Sequence, residues 1–110
     1  MIVEIVNMHG KKQDDYIHGF WVDRRSPLGN PYRLDGEHMR PLVCKRYKDY
    51  FNDTLLKSPQ AVSQLFTMVD YLHSKGHLQL LCWCAPKQCH AETIRDWVLK
   101  VAQNENSVLA

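Results

Sequence analysis

No stretch of this sequence approaches the ~18 consecutive apolar residues of a membrane-spanning helix. The opening Met1-Ile2-Val3-Glu4-Ile5-Val6 lacks the basic start and long apolar stretch of a signal peptide. A membrane partner is therefore not expected, and the chain reads as cytoplasmic. It also has little net charge, +2 with neutral histidines. That small excess argues against an extended nucleic-acid groove driven by electrostatics, although Arg24-Arg25 and Lys45-Arg46 form local basic pairs. The chain has four cysteines, and a reducing compartment argues against a disulfide framework. Cys82 and Cys84 are moreover too close along a strand to bridge comfortably. Repeats and low-complexity segments are missing.

What is present is one domain's worth of core, with 110 residues of which 45% are hydrophobic. Ile2 to Asn7 reads as a first strand closed by His9-Gly10, and Tyr16 to Val22 as a second, weakened by Gly19. Pro41 fits the first turn of a helix with Val43, Tyr47, Tyr50 and Phe51 inward. Ser58-Pro59 opens another, with Val62, Leu65, Phe66, Val69 and Leu72 inward and Gly76 ending it. A third strand is predicted from Leu78 to Cys84. The last helix is predicted from about Cys89 to Ala102, with Ile94, Trp97, Val98 and Val101 as its core-facing stripe. The order strand, strand, helix, helix, strand, helix predicts a single small Rossmann-like α/β domain over 1–102, a partly parallel sheet flanked by helices. Residues 103–110 read as a flexible tail. A domain this small with few strands favours pairing with a second copy, a homodimer.

Two segments carry chemistry. Cys82-Trp83-Cys84-Ala85-Pro86-Lys87-Gln88-Cys89-His90 falls where a strand turns into a helix. A strand would put Cys82 and Cys84 on one face, and with Cys89 and His90 they could form a four-ligand zinc site. Structural zinc pairs favour gaps of about two to four residues, whereas this gap is a single residue. A second reading makes Cys89 a nucleophile activated by the helix start, with His90 as its base. Against it, adjacent residues on a helix diverge by about 100°. A third reading places an anion at the helix N-terminus, assisted by Lys87. The plainest reading of Cys82 is a small buried apolar residue.

The other segment is Ser26-Pro27-Leu28-Gly29-Asn30-Pro31, a stiff loop at a predicted strand end. Arg24 just before it and Arg40 just after could offer bidentate contacts to phosphate or carboxylate. Asn30 could serve a ligand or tie the loop together through its own amide. Tyr16, Trp21, Tyr32 and Tyr47 are candidates for a stacking face or for the core.

Asp23-Arg24 before Ser26-Pro27-Leu28-Gly29-Asn30-Pro31-Tyr32, followed by Cys82-Trp83-Cys84-Ala85-Pro86 and Cys89-His90, resembles the domain of unknown function 4326. This is a family of small proteins from bacteriophages and bacteria. Arg40, Val43 and Tyr47 look like the family's intervening Arg, Val, Tyr helix, and the resemblance runs from Ile17 to Trp97. It implies a Rossmann-like fold and a phage or prophage setting, hence a host cytoplasm, and no established activity.

The leading expectation is a pocket for an anionic small molecule, nucleotide-like or otherwise phosphorylated. It would join Arg24, Ser26, Gly29, Asn30, Arg40 and Lys87 to the Cys89-His90 helix start, with Cys89 and His90 as the catalytic candidates. The alternative is a zinc-stabilised interaction module that binds a host protein, with Cys82, Cys84, Cys89 and His90 as ligands. Zinc is the one cofactor the residues allow.

Overall fold

A computed structural model of the chain describes residues 1–84 and 87–109, with side chains through 104. The predicted Ala85 and Pro86 of the cysteine motif, and Ala110 of the tail, lie outside the described residues. Strand β1 is Ile2–Asn7, β2 is Gly19–Trp21 and β3 is His77–Cys82. They form one sheet in the order β1-β3-β2, and β3 runs parallel to both neighbours. The helices are α1 (Arg40–Asp53), α2 (Pro59–Lys75) and α3 (Ala91–Leu109). Mixed α/β architecture with a small parallel sheet follows the expected order of elements. Among the described residues no helix is long and apolar enough to cross a membrane.

The period-2 pattern of β3 separates two cores. Leu78, Leu80 and Cys82 share the larger one with Leu65, Met68, Val69 and Leu72 of α2 and Ile94, Val98 and Ala102 of α3. Leu81 points to the opposite face, where Val6, Met8, Tyr16 and Trp21 cover it. A fully buried Leu such as Leu80 contributes about 1.5–3 kcal/mol relative to an exposed one.

Helix boundaries follow their local chemistry. Ser58 caps α2, its hydroxyl accepting from the Ala61 N–H at 3.4 Å. Gly76 ends it at φ 74°, the left-handed conformation that costs glycine nothing. Three predicted details differ. The second strand begins at Gly19, because the Gly19 N–H turns back to the Tyr16 carbonyl at 2.9 Å and lifts Tyr16 off the ladder. In α2 the inner stripe uses Ala61 and Met68, leaving Val62 half-buried and Phe66 43% exposed against the edge of Trp97. Helix α3 starts at Ala91 and continues past Ala102 to Leu109.

Tyr47 fastens α1 to the proline-rich loop. Its side chain is fully buried and its hydroxyl donates to the Leu28 carbonyl at 2.7 Å. Burial pushes the phenol pKa well up, so the O–H stays intact as a donor. An unsatisfied buried carbonyl would cost about 1–3 kcal/mol. The loop is thus held from inside the core while its other face remains open.

Candidate functional site

Because β2 and β3 are parallel, their carboxyl ends lie on one edge of the sheet, where ligands of open α/β sheets bind. The expected convergence of the two loops occurs there. The Val22 N–H donates to the Leu81 carbonyl at 3.2 Å. Beyond the ladder, the Trp83 indole N–H donates to Asp23 Oδ2 at 3.0 Å. Trp83 also stacks on Trp21, with centroids 5.7 Å apart. The Arg25 guanidinium lies over the Trp21 ring, 3.6 Å from its centroid, and Arg25 is ion-paired to Asp23 at 3.1 Å. Arg25 is thereby committed to structure, whereas Arg24 is exposed and lines the cleft.

The Ser26-to-Pro31 loop is shaped by short-range hydrogen bonds. Ser26 Oγ accepts from the Leu28 N–H at 2.9 Å, and Asn30 Oδ1 accepts from the Tyr32 N–H at 2.8 Å. Both are local side-chain turns, so these oxygens serve the loop itself. The Arg24 Nε–H donates to the Asn30 carbonyl at 3.3 Å. A Cβ at Gly29 would stand 2.6 Å from Arg24 Cα and 2.7 Å from the Asp23 carbonyl oxygen. The glycine is required for space: its loop presses directly on the backbone that carries Arg24.

The cysteine motif departs from expectation at both ends. Strand β3 stops at Cys82, so Trp83 and Cys84 leave the sheet and Cys84 is half-buried at the cleft. Cys89 precedes α3 and caps it: its N–H donates to Glu92 Oε2 at 2.9 Å, while its carbonyl accepts from the Glu92 N–H at 3.0 Å. Off the helix, Cys89 escapes the predicted divergence from its neighbour, and its Sγ lies 3.6 Å from His90 Nδ1. His90 Nε2 is 2.6 Å from the Val22 carbonyl and must carry its hydrogen there, which leaves Nδ1 unprotonated. Burial lowers the His90 pKa, so the imidazole is neutral near pH 7.

Hydrogen bonding divides the thiols into unlike roles. The Cys89 thiol is pushed far up by its hydrogen bonds to Cys82 and Cys84 and by burial. Cys84 is drawn down to about 5, first by the hydrogen bond from Cys89 and then by the Arg40 guanidinium, against the opposing effect of burial. Cys84, not Cys89, is the acidic thiol of the cluster. Arg40 donates to the Gln88 carbonyl at 3.0 Å and grips Glu37 through two bonds of 2.9 Å. Lys87 reaches the same Glu37 carboxylate at 3.4 Å. Arg40 and Lys87 are therefore partly neutralised, and Glu37 is held at about pKa 2 by Arg40 and Lys87.

Arg24, Asn30, Tyr32, Arg40, Trp83 and Cys84 line one cleft of about 360 Å³, floored by Cys89 and His90. A groove of about 450 Å³ lies beside it between α1 and α3, where Lys45, Lys48 and Lys100 are interspersed with Glu92 and Asp96. Mixed charge gives that groove no preference for an anion. Of the predicted residues, Arg24, Asn30, Arg40, Cys89 and His90 meet at the cleft, while Ser26 and Gly29 shape its loop and Lys87 braces Glu37. Cys84 as the acidic thiol, Trp83 as a lining aromatic and Glu37 as the partner of Arg40 were not foreseen. Among the described residues, no group of three or more His, Cys, Asp and Glu side chains is arranged to hold a metal ion.

No curated protein and no solved structure matches the chain. A family model does, across residues 6–100, covering the loop, α1, the cysteine motif and the cleft they enclose. The chain therefore belongs to the family described as domain of unknown function (DUF4326).

Proposed function

We propose that the cleft at the carboxyl ends of β2 and β3 binds a small anionic ligand, nucleotide-like or otherwise phosphorylated, and that Cys84 is its reactive group. The observation that carries this reading is that Arg24, two aromatic side chains and an acidic thiol line the same cleft. Arg24 supplies a guanidinium suited to bidentate contact with a phosphate. Tyr32 and Trp83, 37% and 41% exposed, offer ring faces to a base. Cys89 first and then Arg40 favour the Cys84 thiolate, and Arg40 does this rather than binding the ligand directly, since Glu37 already occupies it. His90, neutral and with Nδ1 toward Cys89, accepts protons within the cluster. In a phage or prophage setting the chain would act as an accessory protein on such a ligand in the host cytoplasm.

Thermal denaturation with a panel of nucleoside mono- and diphosphates tests the binding. A ligand at roughly 100-fold its Kd stabilises by about 2.7 kcal/mol, a shift of roughly 10 °C for a domain this size. We expect at least one compound to produce it, and Arg24→Ala to abolish it. A shift that survives Arg24→Ala contradicts the reading, as does a panel without effect. The same preparations separate the alternative, a zinc-stabilised module that binds a host protein: near-stoichiometric zinc, lost in Cys84→Ser, would overturn the cleft proposal.

A further inference from the structure

A second polar cluster gathers at the amino ends of β2 and β3, the opposite end of the strands from the cleft. His18 directly precedes β2, and its carbonyl accepts from the Gln79 N–H at 2.9 Å. His77 opens β3, and its ring stands beside that of His18 with centroids 5.0 Å apart and planes inclined at 40°. Hydrogen bonds fix both tautomers. The Tyr71 hydroxyl donates its one hydrogen to the Ile17 carbonyl at 3.1 Å, so toward His18 Nδ1, 2.8 Å away, it accepts. His18 Nδ1 therefore carries the hydrogen, and the neutral ring keeps its lone pair on Nε2. His77 Nε2 lies 3.3 Å from Glu4 Oε1, a carboxylate oxygen that only accepts, so the neutral His77 ring keeps its lone pair on Nδ1. Neither of these two nitrogens has a hydrogen-bond partner among the described residues. A third acceptor is in the same position. Gln79 Nε2 donates to Glu4 Oε1 at 3.0 Å, which fixes the amide and leaves its buried Oε1 without a donor. Glu4, His77 and Gln79 share one face of the sheet, Glu4 and Gln79 being partners across the ladder.

We propose that His18 Nε2 and His77 Nδ1 together bind a divalent ion of the late first transition row, Ni²⁺, Cu²⁺ or Zn²⁺. With nitrogen–metal bonds of about 2.0–2.1 Å and a tetrahedral angle, two imidazoles on one ion stand about 5 Å apart between ring centres. The observed separation of 5.0 Å meets that requirement without moving either strand. Neutral imidazole is a donor that suits these ions, whereas calcium and magnesium favour oxygen. The outer contacts also have the form that ligating histidines use. The remaining N–H of His77 donates to the Glu4 carboxylate, and that of His18 donates to the Tyr71 hydroxyl, itself anchored on the Ile17 carbonyl. Such partners fix the tautomer, orient the ring and raise its basicity. Gln79 Oε1 gains a partner in the ion or in a water bound to it. Two imidazoles leave coordination positions to water, so the site is an open one. It differs in kind from a closed site of three or more His, Cys, Asp or Glu side chains, of which the described residues hold none. The ion ties the start of β2 to the start of β3, positions far apart in the chain, and stabilises the fold by mass action. Nothing in this site depends on the ligand cleft.

The test is a titration of EDTA-treated protein with nickel chloride at neutral pH, read by calorimetry and by thermal denaturation. Nickel is the probe because it binds imidazole without oxidising thiols. The expected result is one equivalent bound and a Tm that rises with Ni²⁺ concentration. Both should persist in Cys84→Ser and vanish in His18→Ala and in His77→Ala. Glu4→Ala keeps both ligands but removes the acceptor that orients His77, and should weaken binding by about 10–100-fold. A measurement on the unaltered chain guards against variants that fail to fold. Histidine modification by diethyl pyrocarbonate is mapped by mass spectrometry with and without one equivalent of Ni²⁺. The ion should protect His18 and His77 and leave the exposed His9 and His38 as reactive as before. Any of four results overturns the proposal: no binding, binding that survives either histidine variant, binding lost in Cys84→Ser, or no protection of His18 and His77. An affinity unchanged in Glu4→Ala contradicts the orienting role of that carboxylate.

Discussion

Gly29→Ala should lower the unfolding free energy by about 2–3 kcal/mol and abolish any nucleotide-induced stabilisation. The backbone of Gly29 lies outside the left-handed region, so conformational freedom is not what the site demands. The added methyl would meet Arg24 Cα at 2.6 Å, the Asp23 carbonyl oxygen at 2.7 Å and the Arg24 N at 2.9 Å. All three are backbone atoms and cannot rotate aside. They are also tied: the Asp23 carbonyl accepts from the Ser26 N–H at 3.0 Å, and the adjacent Val22 carbonyl receives His90. Relieving the clash therefore moves Arg24 and loosens His90 together. Gly10→Ala is the contrast, since Gly10 sits at φ 71° with open space around it. Its cost should be about 1 kcal/mol, that of the left-handed backbone alone. Urea denaturation of both variants measures the difference. A Gly29→Ala variant no less stable than Gly10→Ala would show that the loop does not bear on the Arg24 backbone as described.

The second large effect concerns the acidity of Cys84. Its alkylation rate should rise with a midpoint near pH 5 and be flat through neutrality, where an ordinary thiol near 9.0 is still mostly protonated. Cys89→Ala removes the strongest cause, the S–H hydrogen bond, and should move the midpoint up; Cys89→Ser keeps a donor and should move it less. Arg40→Gln removes the nearby cation and should raise it by about 1–3 units. The folded-state pKa is depressed, so the stabilisation tied to this thiolate is full above the unfolded thiol's pKa and is lost as pH falls toward 5. Reaction rates followed by mass mapping of the Cys84 peptide separate these variants. An ordinary midpoint in the wild-type chain would remove Cys84 as the reactive group.

Much of the fold was legible because its signals are local. Pro41, Ser58-Pro59 and Gly76 mark helix ends by their own backbone chemistry, and the Leu78-to-Leu81 run could only be a buried strand. The site was half legible. Residue types and loop positions indicated where Arg24, Asn30, Cys89 and His90 would meet, since the carboxyl ends of parallel strands share an edge. Protonation roles were not legible, because they depend on long-range partners. Cys84 becomes acidic first through Cys89, whose geometry depends on α3 starting at Ala91, and then through Arg40, far away in the chain. The divergence expected for adjacent helical residues failed for the same reason: Cys89 caps the helix instead of belonging to it. The side-chain oxygens of Ser26 and Asn30 accept N–H groups of their own loop, a use that no spacing rule distinguishes from ligand binding.

Competition between ligand and alkylating agent at Cys84 tests the central claim most directly. Reduced protein at pH 7 is treated with iodoacetamide with and without a saturating nucleotide from the thermal screen, and the Cys84 peptide is quantified over time. Cys84 should react ahead of Cys44, Cys82 and Cys89, and the nucleotide should slow it severalfold while Arg24→Ala cancels that protection. Unchanged Cys84 alkylation under saturating nucleotide would contradict the assignment of this cleft as the ligand site.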